Sequence, residues 1–289
     1  MKSYKNLVFL DNPSNIEISK KMLKLVPTRV DCKSEEVEVI YTHFNRVDYS
    51  VYPNLKAVLC PCRGVSHLEG DTKAIIIHLE ESDELELFNK AVSSAEWAIS
   101  NMLRLLQHDD EDIRGKKIGF IGFNRMATQI AYRLSNFGVD MQFFEPESKA
   151  IKKEFLAAVP SIKQLTSIAL LCTTSDIIFM GLPDMPQYTG FVDELAFANM
   201  SKVYFINPFR SKSVVADDLI EAYDNGFVKG FAIDDCSAYT SEVNYKLTVL
   251  NVMQPANVIV SQYKAGKGQQ SRIATDMIVL DKLEKLLKD

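Results

Sequence analysis

A glycine-led turn, Gly122-Phe-Asn124-Arg-Met-Ala127, follows a short apolar run at residues 118–121, and Glu145 stands 23 residues after Gly122. A turn of this kind at a helix start exposes unpaired N–H groups in a region of partial positive charge, which suits a diphosphate. An acid closing the next strand can accept hydrogen bonds from a ribose diol and repels a 2′-phosphate. The spacing therefore points to a dinucleotide, and to NAD rather than NADP. Gly122, Asn124, Arg125, Met126, Glu145 and Pro146 are the candidate contacts. Against the G-x-G-x-x-G pattern, Ala127 is an accepted last residue, but Asn124 replaces the glycine whose bare backbone lets the diphosphate approach. Asparagine tolerates left-handed angles better than most residues, yet it still carries a side chain. A strand–helix–strand unit that only packs is the alternative reading.

Such a site needs elements to hold it. Met126, Ile130, Leu134 and Phe137 recur at helical spacing, Gly138 stops that helix, and Val139, Met141 and Phe143 alternate as a strand. Upstream, strands are expected at 7–10, 37–41, 55–60 and 74–77. A helix led in by Pro13 and Ser14 carries Ile16, Ile18, Met22 and Leu25, and another spans 94–106 with Ser93 or Ser94 as cap and Trp97 packed inside. Downstream, helices are expected at 148–159, 165–174, 191–200 and 216–225, with strands at 177–180, 203–206, 230–233 and 258–260. A last helix at 273–287 could pack back on the first part of the chain. This alternation predicts an α/β protein of two doubly wound parallel-sheet domains. The expected division is 1–93 with 271–289 for the first domain and 94–270 for the central one.

Ligands of open parallel sheets bind at the carboxyl ends of the strands. That singles out the loop Pro61-Cys-Arg63-Gly64-Val65-Ser-His67 as a substrate contact or a plain turn, and Leu182, Pro183, Asn207, Arg210, Asp234 and Tyr263 further on. Cys60-x-Cys62 without a second ligand cluster reads as buried or loop thiols rather than a metal site.

Bulk properties narrow the partners. The chain is 47% hydrophobic and 25% charged, with a net charge near −5, which gives no reason to expect nucleic acid or an anionic membrane. No apolar run is long enough to span a bilayer and no signal pattern opens the chain. Five scattered cysteines fit a reducing compartment, so the cytoplasm is expected.

Several stretches, in order, resemble the D-isomer-specific 2-hydroxyacid dehydrogenases: Pro53-Asn-Leu-Lys56 with Gly64-Val65, Ala95-Glu96, Arg114-Gly-Lys-Lys-Ile-Gly-Phe-Ile-Gly122, and Asp176 to Pro183 with Thr189-Gly190. Ile206-Asn207 through Arg210, Asn225-Gly226 through Asp234, and Asn257-Val258 through Ala265-Gly266 complete the set. The resemblance spans nearly the whole chain. It implies a flavodoxin-like substrate domain built from both chain ends, a central Rossmann domain for NAD, and a cleft between them. It also implies hydride transfer between nicotinamide and C2 of a small 2-hydroxy or 2-keto acid. By the same resemblance Arg210 would hold the substrate carboxylate and polarise its carbonyl, a task that suits a guanidinium. Asp234 would lie near the nicotinamide carboxamide, or serve as a buried cap. The backbone N–H groups of Arg63, Gly64 and Val65 would meet the substrate.

The family's proton donor is a histidine in a Pro-His pair, and this chain has Gln262-Tyr263 there. All four histidines, His43, His67, His78 and His108, precede the glycine turn, and the partner acid after Asp234 is replaced by Ser237, Ala238 and Tyr239. Tyr263 or His67 would have to donate the proton, if a proton is donated at all. Three readings follow: an oxidoreductase with an altered donor, a pseudoenzyme that binds NAD as a sensor or partner-binding protein, and a scaffold without cofactor. The family also inserts a longer, tryptophan-containing segment between Leu106 and Arg114 that helps form its dimer. A homodimer of this chain would have a smaller or differently built interface.

Overall fold

The computed structural model describes residues 3–29, 31–43, 45–68, 70–147, 153–182, 185–209, 212–234, 240–262 and 264–288. The chain divides into two compact units, Met1–Ala91 with Gly268–Asp289, and Val92–Lys267.

The first unit holds four parallel strands, β1 (Leu7–Phe9), β2 (Val39–Tyr41), β3 (Ala57–Cys60) and β4 (Ile75–His78), side by side in that order. Alternation along them divides the core. Val39, Tyr41, Ala57 and Leu59 pack on one face against α1 (Ile16–Leu25), while Ile40, Val58 and Cys60 pack on the other with Val37 and Leu68. Helix α1 starts where Asn15 accepts from the Ile18 N–H, so asparagine rather than Ser14 sets its first turn. The short α2 (Glu84–Leu87) follows β4.

In the second unit, α3 (Ser93–His108) leads into β5 (Lys117–Ile121), α4 (Arg125–Leu134) and β6 (Asp140–Phe144). Next come α5 (Lys153–Ala158), the two-residue β7 (Lys163–Gln164), α6 (Ile168–Thr174) and β8 (Ile177–Met180). The unit continues with α7 (Glu194–Ala198), β9 (Val203–Asn207), α8 (Ala216–Asp224), β10 (Val228–Asp234), α9 (Ser241–Met253) and β11 (Val258–Ser261). Helix α10 (Gln269–Lys288) then returns to the first unit, where Ile278, Val279, Leu280 and Leu283 join the α1 face of its core. Buried Asp276 fixes that return, accepting from the Tyr41 hydroxyl at 2.7 Å and from the Ser14 N–H at 2.8 Å.

The seven strands of the second unit are all parallel, in the order β11-β10-β9-β8-β5-β6-β7. Chain direction across the sheet reverses between β5 and β8, the switch point where open parallel sheets bind ligands. Strands β8 and β9 are buried along their whole length, and β5 from Ile118 to Ile121, as a sheet covered on both faces requires.

Several expectations are corrected. Serine does not cap α3: Val92 holds the cap position without a side-chain bond, and the Ser94 hydroxyl is spent on the Ala265 carbonyl. Phe137 lies beyond the end of α4 and is exposed, because the helix stops at Leu134. Trp97 is half-buried rather than packed inside. Helix α7 begins only at Glu194, since Asp193 caps it through the Ala196 N–H. Helix α6 likewise waits for its cap, Ser167. The first part of the helix expected at 148–159 lies outside the described residues, and α5 covers its remainder.

Candidate functional site

Because every strand of the second unit runs the same way, its strand ends form one edge. Gly122 follows β5, Glu145 follows β6, Gly181 and Leu182 follow β8, Asn207 closes β9, Asp234 closes β10, and Ser261 closes β11.

Gly122 takes φ +86°, open to glycine and costly for other residues. Space is equally restrictive: an added Cβ would lie 2.7 Å from the Gly181 carbonyl carbon and 2.8 Å from the Leu182 nitrogen. At Gly181 an added Cβ would lie 2.1 Å from the Gly122 oxygen. Both glycines are demanded by the packing of two loops across the switch point, before any ligand is considered.

Asn124 sits at the N-cap of α4 in an extended conformation, φ −84° and ψ −176°, so its left-handed tolerance is not used. Its Oδ1 accepts from the Ala127 N–H at 3.0 Å. The side chain that departs from the glycine pattern is thus turned into the first helical turn. The Met126 N–H is left without an acceptor among the described residues. Arg125, the first residue of the helix, is half-buried and adds positive charge to that end.

The Glu145 carboxylate faces the same turn. Its Oε2 accepts from the Phe123 N–H at 2.9 Å and its Oε1 from the Glu147 N–H at 3.4 Å. Each oxygen keeps a further acceptor position for a ribose hydroxyl. Burial pushes this carboxyl upward, and the Phe123 N–H is the main pull in the other direction. Pro146 is half-buried behind it. Tyr188, which no sequence pattern marked, is buried nearby, and burial, with the carboxylate of Glu147 beside it, raises its pKa.

Asn207 is fully buried; its Oδ1 accepts from the Phe209 N–H, while its Nδ2 has no partner among the described residues. A buried orphan donor at a strand end is a place for a ligand oxygen. Leu182 is buried against Gly122. Asp234 is engaged on both oxygens: Oδ1 accepts from the Ser261 hydroxyl and the Lys264 N–H, and Oδ2 from the Ala265 N–H. It pins the chain before and after position 263. Pro183, Arg210 and Tyr263, together with Ser237, Ala238 and Tyr239, lie outside the described residues. A cavity of about 500 Å³ opens beside this edge, lined by Trp97, Asn101, Arg104, Asn251, Ser261 and Lys264.

In the first unit, Arg63, Gly64 and Val65 follow the end of β3. The Arg63 guanidinium pairs with Glu84 at 3.1 Å, so its side chain is directed to α2. The Gly64 and Val65 N–H groups have no acceptor among the described residues. His67 is buried, with Nε2 3.8 Å from the Cys60 sulfur. The ring is turned inward against Cys60. No group of three or more His, Cys, Asp or Glu side chains placed to hold a metal is found among the described residues, and no helix is long and apolar enough to cross a membrane.

The donors and acceptors at the second unit's strand ends fit a dinucleotide: N–H groups at the α4 start, a carboxylate facing them, and an orphan amide further along the edge. Comparison with known proteins agrees. Residues 75–263 match the family described as D-isomer specific 2-hydroxyacid dehydrogenase, NAD binding domain. D-3-phosphoglycerate dehydrogenase of Haemophilus influenzae is 21% identical over 254 residues, 80% of this chain and 58% of that protein. Glyoxylate reductase of Thermofilum pendens is 25% identical over 175 residues, 60% of this chain and 50% of that protein. These matches thus span 50% to 58% of the relatives' length. Among solved structures, D-lactate dehydrogenase from Aquifex aeolicus, complexed with NAD and lactic acid, shares the fold with TM-score 0.76 and 19% identity, covering 98% of this chain and 95% of that one. The chain belongs to the D-isomer specific 2-hydroxyacid dehydrogenase family, with NAD as the cofactor of its matched domain.

Proposed function

We propose that this protein is an NAD-dependent oxidoreductase that transfers hydride between nicotinamide and C2 of a small 2-hydroxy or 2-keto acid. The observation that carries the reading is the Glu145 carboxylate held against the glycine turn by the Phe123 N–H, 2.9 Å away. When bound, the cofactor supplies or accepts the hydride. Gly122, Asn124, Arg125 and Met126 would hold the diphosphate, and Glu145 the adenine ribose, with Pro146 behind it. Leu182, Pro183, Asn207 and Asp234 would line the remainder, Asn207 through its orphan Nδ2 and Asp234 by fixing the segment around position 263. Arg210 would grip the substrate carboxylate and polarise the carbonyl, and the N–H groups of residues 63–65 would meet the substrate. Tyr263 would donate the proton to the developing alkoxide at the place where the family has histidine.

That replacement favours a second reading. A family member without its histidine and without the acid partner could keep NAD and lose turnover, acting as a sensor or as a partner for another protein. One experiment separates the two. NADH and NADPH are titrated against the protein by fluorescence, and a panel of 2-keto acids is then offered with NADH. Binding that favours NADH, with steady-state turnover of at least one acid, supports the oxidoreductase. Binding without turnover supports the pseudoenzyme, and no saturable binding overturns both.

A further inference from the structure

The end of β3 carries a side-chain cluster that plays no part in the reading above. Cys60, the last residue of the strand, is fully buried, and Cys62 is half-buried two residues later. The Cys62 N–H donates to the Cys60 carbonyl at 2.7 Å across Pro61. A three-residue turn of this kind folds the chain back on itself. It holds the two cysteines one residue apart on a single tight turn, within the span a disulfide bridges. His67 closes the group from the other side, with Nε2 3.8 Å from the Cys60 sulfur. The ring is 7% exposed, and its Nδ1 has no partner among the described residues. The Cys62 thiol donates to the His43 carbonyl at 3.3 Å. Two sulfurs and one imidazole are too few for a closed metal site, which takes four ligands, so the cluster is better matched to thiol chemistry.

We propose that Cys60 and Cys62 form a reversible redox site, in which hydrogen peroxide closes the two thiols into an intramolecular disulfide with His67 carrying the proton. Cys62, the thiol nearer solvent, attacks a peroxide oxygen. The O–O bond breaks, water leaves, and Cys62 becomes a sulfenic acid. The Cys60 sulfur, its proton passed to His67, then attacks the Cys62 sulfur. The S–S bond forms, the S–O bond breaks, and the departing hydroxide takes the proton from His67 as a second water. Two thiols are oxidised and one peroxide is reduced. Burial of Cys60 is no obstacle, because its only reaction is with its neighbour.

The electrostatics support the division of labour. The neighbouring Cys62, followed by the His67 ring and its charge, holds the Cys60 thiol below the ordinary thiol range, against the burial that raises it. A disulfide across a single intervening residue closes a small, strained ring, and strained disulfides are readily reduced. The site uses neither cofactor nor substrate, so it stands or falls separately from the proposed activity.

Trypsin cleavage after Lys56 and Arg63 gives one peptide, residues 57–63, that contains both cysteines. The full-chain protein is exposed to dilute hydrogen peroxide at neutral pH, and this peptide is weighed without reduction. The expected product is lighter by two hydrogen atoms and regains them with dithiothreitol. Cys60→Ser should leave Cys62 as a sulfenic acid that dimedone traps. His67→Gln should slow closure about tenfold or more, since the attacking sulfur is then less ionised. Should Cys60→Ser fail to fold, the wild-type mass and the His67→Gln rate still decide. A peptide that stays reduced, gains only oxygen, or closes at an unchanged rate in His67→Gln overturns the proposal.

Discussion

The Oε2 atom of Glu145 lies 2.9 Å from the backbone nitrogen of Phe123, so the acid that follows β6 is fastened to the turn that begins α4. This bond ties a charge to the turn whose N–H groups would meet a diphosphate, and it gives the acid a fixed direction.

Glu145→Gln should weaken NADH binding about ten- to a hundredfold, because hydrogen bonds to a charged group contribute about 1.5–3 kcal/mol. The same change removes the repulsion of a 2′-phosphate, so the preference for NADH over NADPH should narrow. Parallel fluorescence titrations measure both; an unchanged ratio of affinities would remove Glu145 from the ribose.

Asn124→Ala removes the cap of α4 and should cost about 1 kcal/mol of stability, whereas Asn124→Gly should cost only a few tenths. Urea unfolding reads the difference. If the side chain also stood in the way of the diphosphate, Asn124→Gly would tighten NADH binding markedly. Its orientation into the helix predicts little change.

Asp234→Ala leaves the Lys264 and Ala265 N–H groups without their acceptor. Ala265 is buried, and a buried unsatisfied donor costs about 1–3 kcal/mol, so a loss of about 1–3 kcal/mol is expected in urea unfolding. Wild-type stability would show that the carboxylate holds nothing.

Tyr263→Phe should lower keto-acid reduction by about 10²–10⁴-fold, the usual worth of general acid–base help, while NADH binding is retained. Steady-state rates alongside a titration test it, and unchanged turnover would mean that another group gives the proton.

The approach to β5 carries a charge cluster that should show in acid. Glu111 pairs with Lys116 and Lys229, and the Lys116 hydrogen bond, with that of Lys229, holds its carboxyl down at about 2. A depressed acid contributes stability above its unfolded pKa, about 4.3, and that contribution is lost as pH falls from there toward 2. Unfolding midpoints should therefore drop through this window, and Glu111→Gln should flatten the drop.

Much of the second unit was legible because parallel strands buried on both faces leave continuous apolar runs. The strand expected at 177–180 is β8 itself. Helix α9 gave no such signal: only Val243 and Leu247 are buried in it, while Val249, Val252 and Met253 are exposed, so no apolar stripe repeats. Strand β7 is two exposed residues at a sheet edge and has no pattern to read. At the candidate site, Gly122 and Glu145 were readable from type and spacing. The cap made by Asn124 is local, and was hidden because the residue was read against a glycine pattern. Asp234 was readable as a buried cap, but the Lys264 and Ala265 N–H groups it holds were not, because only the fold brings them near. Tyr188 was invisible for the same reason.

The mutual approach of Gly122 and Gly181 also bears on how this protein could be re-engineered. With each occupying the space where the other's side chain would begin, a library randomised at both positions should return glycine at both and little else. Altered cofactor choice would have to be sought at positions 124, 125 and 145–147, where side chains already have room. The seam between the two halves of the sheet is closed to variation; its rim is where new specificities can be written.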